Sequence, residues 1–451
     1  MIIPGIDRFR SANPLAVWSA AELPSSSSGK DGNSKAEIVK LDNGLTIITQ
    51  NNPNVHSAGV NVFVNVGSVF ENEKNNGATH FLEHMVFKRT KSKTGRQIAE
   101  EAEDSGASIN AATHEDFTRY HTQTLGENIA VPTLSYLDML LNSKILEKEF
   151  QTEKGVILEE AKMYEDNPQA RVMYLAQETY FKGHPYGRRI LGTQKTISEM
   201  QRSDLKQFLK DFYNPDNMFV SLVGNFDTGD VIRKIESFTS QNQGKTKKQE
   251  IPPLPVNVEN AFDTINIQQA HVVLFTKGYS LLDDKRYTLL VLNQAFGGGI
   301  SSRLFQNVRE KSGYCYTVDS QPESTSFGGA FIIYSGLKKD KVQNGVDLIL
   351  NEIKKLKKDG LKPHELKRAK TQIRTALLLR EESTSASSFS NALGYMSRGY
   401  LTPVEETDQK IKSVTNEDII RVANEIFAPG LLAAYVVGPK KVASKKIEIN
   451  L

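Results

Sequence analysis

The sequence predicts an α+β protein made of two homologous α/β-sandwich domains, each an antiparallel-rich sheet with helices packed on it, joined by a linker. Three observations carry this reading. Short strand patterns of period two alternate with helical stretches of period 3.6. A polar segment containing Gly, Pro and Lys divides the chain near its middle. The texts on either side of that segment echo each other. The chain has 451 residues, more than one hydrophobic core usually serves.

The elements follow in order. Residues 1–35 mix Arg8 and Arg10 with Asp7 and the run Ser25 to Ser28. They contain no continuous apolar stretch, so a secretory signal is not expected. The segment reads as an N-terminal extension, either a targeting sequence or disordered. Ile38, Val39 and Leu41 form a first strand. Asn43-Gly44 turns the chain, and Leu45, Ile47 and Ile48 return. Val60, Val62, Val64 and Val66 line one face of the next strand. Helical patterns follow near 76–88, 95–105, 127–143 and 147–165. Residues 36–240 are the first domain. Gln241 to Lys248, then Ile251-Pro-Pro-Leu-Pro, read as a linker over 241–257. Residues 258–451 are the second domain. The echo lies at the two ends. Asp204 to Pro215 then Met218 to Gly224 matches Asp418 to Pro429 then Leu432 to Gly438: a helix ending near a Pro, then an apolar strand ending at a Gly.

Composition narrows the function. Fifty-six basic and 53 acidic residues give a formal charge of +3, so no nucleic-acid surface is expected. The longest apolar runs fall well short of the roughly 20 residues that span a bilayer. A single cysteine, Cys315, excludes an intrachain disulfide and a multi-cysteine metal site. It reads as a packed apolar residue. Any metal must then be held by His and carboxylates, a set typical of catalytic zinc.

The chemical signal is His80-Phe81-Leu82-Glu83-His84. On a helix His80 and His84 stand one turn apart on one face, where both imidazoles can bind one Zn²⁺. Glu83 lies beside them, placed to take a proton from water. Phe81, Leu82, Met85 and Val86 give the helix an apolar side to bury. A third ligand is required. Glu153 and Glu160, seven apart on a helical stretch, share one face, and either can reach a site on a neighbouring helix.

These residues resemble the pitrilysin-like zinc peptidases with an inverted His-x-x-Glu-His motif, most of all the subfamily of the mitochondrial processing peptidase β subunit. The text Glu153-Lys-Gly-Val-Ile-Leu-Glu-Glu160, and His184-Pro185-Tyr186-Gly187 after it, are similar to that family's. The resemblance covers nearly all of residues 36–440. It implies one zinc ion per chain on His80, His84 and Glu160. Glu83 is then the general base and Glu153 orients the site from behind the ligands. Arg309 and Tyr316 are implied to stabilise the oxyanion. Asn110 and Ala111 lie on an edge strand that pairs with extended substrate. His114 and His121 match no ligand. The implied architecture is half of a clamshell, closed as a homodimer or with a non-catalytic α-like subunit.

The implied activity is endopeptidase cleavage of extended peptides. Processing of presequences in a mitochondrial matrix or related organelle is the first reading. A homodimeric, peptide-degrading peptidase of a bacterial cytoplasm is the alternative, and a core-protein-like structural subunit is a further one. One departure bears on substrate. The subfamily's arginine-reading acids fall at Ala170 and Tyr174 here, neither of them acidic.

Overall fold

The computed structural model describes residues 35–443 and 447–451; the extension expected at the N-terminus lies outside them except for Lys35. Eleven strands form two sheets among the described residues. The first sheet holds β1 (Glu37–Lys40), β2 (Thr46–Asn51), β3 (Ser57–Val64), β4 (Asn110–Thr113), β5 (Thr118–Leu125) and β6 (Met218–Gly224). The second holds β7 (Ala261–Thr264), β8 (Gln269–Lys277), β9 (Cys315–Ser324), β10 (Gly329–Lys338) and β11 (Ala433–Gly438).

With β1 set aside, the two sheets have one topology. The orders are β2-β6-β3-β5-β4 and β7-β11-β8-β10-β9. In each, the first pair is parallel and the rest antiparallel. The strands that the sequence echo pairs, β6 and β11, hold equivalent places. The two sheets therefore form an α+β pair of related halves. The chain from 241 to 257 forms neither helix nor strand.

The helices that position the site and the core are, in chain order, α1 (Ala78–Val86), α2 (Gly95–Asp104), α3 (Ala130–Asn142), α4 (Glu147–Asp166), α5 (Pro168–Tyr180), α6 (Arg202–Phe212), α7 (Pro363–Glu381), α8 (Thr384–Arg398) and α9 (Asn416–Ile426). The first four match the expected stretches closely. The stretch expected from residue 127 begins late because Gly126–Asn128 forms a 3-10 turn. Among the described residues no helix is long and apolar enough to cross a membrane.

Each sheet buries one face against helices of its own half. Val60, Val62, Phe81, Leu82, Met85, Tyr120 and Phe150 share one core. Leu274, Phe296, Phe331, Ile349 and Phe427 share the other, which also takes up Cys315. The opposite faces are covered by exchange. Helix α8, from the second half, lies on the first sheet: the Asn61 amide donates to Ser388 Oγ at 2.6 Å, and the rings of Phe63 and Phe389 lie 5.6 Å apart. Helix α5, from the first half, lies on the second sheet through Val172, Ala176 and Tyr180. The Tyr180 hydroxyl donates to the Leu431 carbonyl at 3.0 Å.

Two predictions follow from this packing. Phe81 on α1 stacks on Phe150 of α4 at 5.0 Å and 7°, fully buried. Phe81→Ala is expected to lower unfolding stability by about 3–5 kcal/mol, read from denaturant midpoints. Asp319 is buried on β9, and burial pushes its carboxyl from 3.8 up to about 7. Because the folded value lies above the unfolded one, its contribution favours folding at low pH and is lost as pH rises through about 7. Asp319→Asn is expected to be the more stable protein at pH 8, by on the order of 2–4 kcal/mol, and equal to the parent near pH 4, in unfolding curves across that range.

Candidate active site

Helix α1 starts abruptly. Gly77 at its N-cap has φ +97° and no side-chain cap, and a Cβ there would sit 2.7 Å from the Leu191 carbonyl. The open amides are met from outside the helix. Buried Glu71 accepts from the Thr79 amide at 2.7 Å, the Gly77 amide at 2.8 Å and the Asn76 side-chain amide at 2.9 Å. This carboxylate at a helix N-terminus also suits the helix dipole. Burial nonetheless pushes Glu71 up to about 7, against those hydrogen bonds. The Arg188 guanidinium donates to the Glu71 carbonyl at 2.5 Å, and the Asn76 amide donates to the Arg189 carbonyl at 2.9 Å. The His184–Gly187 turn thus leads into the loop that braces α1. His184 itself is structural: its Nδ1 accepts from the Tyr186 amide at 3.0 Å, leaving Nε2 to donate to the Pro252 carbonyl at 2.9 Å.

His80 and His84 then emerge on one face, ring centroids 4.8 Å apart. Helix α4 brings Glu160 to both. Its Oε2 lies 3.8 Å from His80 Nε2 and 3.6 Å from His84 Nε2. Ligand atoms of these three residues all lie within 4.8 Å of one another. Glu153, one face-repeat earlier on α4, meets the far side of His84 instead: Oε2 is 3.2 Å from Nδ1, while Lys88 pairs with Oε1 at 2.7 Å. The sequence left the third ligand open between Glu153 and Glu160, and the geometry separates them.

The electrostatics agree with a cation site. Burial, then the neighbouring His84, lowers His80 well below its usual value, so its imidazole is neutral, the form that ligates a metal. Burial also opposes charge on His84, but the Glu153 hydrogen bond and the Glu83 and Glu160 carboxyls together raise it. Glu160 is pushed up to about 7 by burial, partly offset by His84. Both ring nitrogens of His80 and Oε1 of Glu160 are enclosed without a hydrogen-bond partner. Buried polar atoms are rarely left so. Two imidazole nitrogens and one carboxylate oxygen are the donor set of hydrolytic zinc sites, and these residues fit that ion.

Glu83 is buried beside the histidines, and Thr113 Oγ1 on β4 donates to its Oε2 at 2.5 Å. Burial raises its carboxyl, against that hydrogen bond. Strand β4 is the outermost strand of its sheet. Asn110 is partly exposed there, whereas the Ala111 side chain is buried, so only the Ala111 backbone can meet a ligand at the edge. The Tyr136 hydroxyl steadies this strand, accepting from the Asn110 amide at 3.1 Å and donating to the His121 carbonyl at 2.6 Å.

Arg309 and Tyr316 are brought to each other. The guanidinium lies 5.3 Å from the Tyr316 ring centre and 4.4 Å from that of Phe305. Tyr316 is 75% exposed at the start of β9. Among the described residues neither side chain bonds to His80, Glu83, His84 or Glu160. Ala170 and Tyr174 are buried with Tyr164 and Leu191. Sequence reasoning missed Glu71, Lys88 and Thr113. Only Glu71 left a trace, an acid shortly before a glycine-started helix with no cap of its own.

The first half of the chain, residues 46–194, matches the family model described as insulinase, peptidase family M16. Residues 199–373 match the model for the peptidase M16 inactive domain. An "uncharacterized zinc protease" of Rickettsia bellii is 36% identical over 409 residues, covering 90% of this chain and 98% of its own. One from Bacillus subtilis is 33% identical, covering 87% and 96%. Among solved structures, a protease from Helicobacter pylori shares the fold with TM-score 0.83 at 24% identity, over 90% of this chain and 99% of that one. A chain of complex III2 from Candida albicans shares it with TM-score 0.76 at 20% identity, over 89% and 95%. With a matched His-x-x-Glu-His half, a matched partner half and relatives aligned end to end, the chain belongs to the pitrilysin-like insulinase family of zinc peptidases, peptidase family M16.

Proposed function

We propose that the chain is a zinc-dependent endopeptidase that cleaves extended peptides. The observation that carries this reading is the meeting of His80, His84 and Glu160 around one point, with Glu83 adjacent and an open sheet edge at β4. His80 Nε2, His84 Nε2 and a Glu160 oxygen would hold the zinc ion. Zinc supplies Lewis acidity, which acidifies water and polarises a carbonyl.

The chain's own residues do the rest. Glu83, its carboxyl raised by burial, receives a proton from the attacking water and returns it to the leaving amine. Thr113 fixes one carboxyl oxygen and leaves the other to face the reaction. Glu153, anchored by Lys88, orients His84 through Nδ1. A peptide strand adds to β4 at Asn110 and Ala111, aligned by main-chain hydrogen bonds. Arg309 and Tyr316 stabilise the oxyanion, and since they do not bond to the His80 cluster in the single chain, they act when a second half-shell closes. A homodimer meets that need, because one chain carries both sets of residues; an α-like partner is the other arrangement.

Broad peptide cleavage is favoured over presequence processing. The positions that read arginine in processing peptidases are Ala170 and Tyr174, 1% and 9% exposed, with no carboxylate to offer. The two sequence relatives named above, from Rickettsia bellii and Bacillus subtilis, are bacterial, which favours a bacterial setting over a mitochondrial matrix. A structural role, as for a subunit of complex III2, would leave the His and Glu set without use.

Three outcomes are expected. Glu83→Gln retains one zinc per chain while turnover of a fluorogenic peptide falls by about 10²–10⁴-fold; equal loss of zinc would remove the general-base assignment. Glu153→Gln weakens zinc binding by about 10–100-fold in chelator competition. A chelator abolishes cleavage by the parent protein, and stoichiometric zinc restores it.

A further inference from the structure

Helices α1 and α4 run in opposite directions. His84, late on α1, meets Glu153 early on α4, and His80 meets Glu160 further along it. The stack of Phe81 on Phe150 holds the two helices near the start of α4. Their other ends, where α1 begins and α4 stops, are bridged by residues 188–193, which form neither helix nor strand. Arg189 is the centre of that bridge. Its guanidinium donates to Glu165 Oε1, on the last turn of α4, at 3.1 Å. It also donates to both oxygens of Glu178 on α5, at 2.6 and 3.4 Å, and lies 4.9 Å from the centre of the Tyr174 ring. The Gln194 amide holds the second oxygen of Glu165 at 2.7 Å. Two residues on, Leu191 is buried among Tyr164 of α4 and Ala170 and Tyr174 of α5.

While its side chains grip α4 and α5, the backbone of this loop lies flush on the start of α1. The Asn76 amide donates to the Arg189 carbonyl. Gly192 has φ +76°, and a Cβ there would sit 2.5 Å from the Asn76 carbonyl; one on Gly77 would meet the Leu191 carbonyl from the other side. A lone exposed ion pair contributes little. This one is different in kind: the Arg189 side chain is 22% exposed, forked onto one carboxylate, shared with a second and laid on a ring, an arrangement open to arginine and closed to lysine. Burial works against its charge, yet the Glu178 carboxylate raises the guanidinium above its ordinary value.

We infer that Arg189 is a positioning residue for the zinc site, a clasp that fixes how far Glu160 on α4 stands from His80 and His84 on α1. The two histidines share one helix and move as a body, so the clasp acts on the distance between that pair and the third ligand. The inference rests on the zinc reading above. It needs the metal site and not the cleavage reaction.

The test is a double-mutant cycle on zinc affinity, measured on the full chain by competition with a chromophoric chelator. Arg189→Gln is expected to weaken zinc binding about tenfold, and Arg189→Lys to recover part of the loss. In a Glu160→Gln background, Arg189→Gln is expected to cost nothing further, because the ligand that it positions is already gone. Arg374→Gln breaks an ion pair with Asp408 in the second half and serves as the control; it is expected to leave zinc affinity unchanged. If Arg189→Gln does not fold, Glu178→Gln takes its place in the same cycle. Zinc affinity unchanged in the Arg189 variant overturns the clasp. So does a loss equally large in the Glu160→Gln background, which marks general loosening of the fold. No zinc bound by the parent overturns the metal site and the clasp together. The expected cycle in a chain that cleaves no peptide supports the clasp and removes the peptidase reading alone.

Discussion

The stack of Phe81 on Phe150 is the contact on which the site depends. It joins α1 to α4 inside the first core, and those helices carry the two parts of the candidate metal-binding set. Seventy-nine residues of intervening chain could not hold His80 and Glu160 within 3.8 Å by connectivity alone. The facing rings set the helix spacing. Glu71 sets the start of α1 and, with it, which turn presents the histidines. A displacement of about 1 Å at either point would open the cluster.

The same economy of contacts holds the two halves together. Each sheet receives a helix from the other half, α8 on the first and α5 on the second. Helix α5 follows directly after the Glu160 helix, so the second sheet braces the metal side of the first. Helix α8 closes the far face of the first sheet and brings Phe389 over Arg119. The duplicated topology thus gives two edge strands in equivalent places, β4 beside Glu83 and β9 carrying Tyr316, and among the described residues the candidate metal cluster of His80, His84 and Glu160 belongs to the half with β4.

Much of this could be read in advance because it is written in local periodicity. The Val60 to Val66 alternation, the His80 and His84 spacing and the repeated helix-Pro-strand-Gly ending are short-range patterns, and each maps to one element. The choice of Glu160 over Glu153 was not local. Both lie on one face of α4, and the residues alone left them equal. Resemblance pointed to Glu160, and only the tertiary placement of α4 explains why it faces Nε2 while Glu153 faces Nδ1. Glu71 and Thr113 escaped notice for the same reason, since each acts across a loop or a strand crossing. The exchange of α5 and α8 was invisible too: an amphipathic helix states that it will be buried and does not state against which sheet.

The most direct test of the central claim is zinc X-ray absorption of the purified chain. The account predicts one zinc per chain, with a first shell of nitrogen and oxygen only, at about 2.0–2.2 Å, and the outer scattering of two imidazoles. That pattern should lose its carboxylate component in Glu160→Ala and keep it in Glu153→Gln. A shell containing sulfur, one imidazole instead of two, or no bound zinc would contradict it.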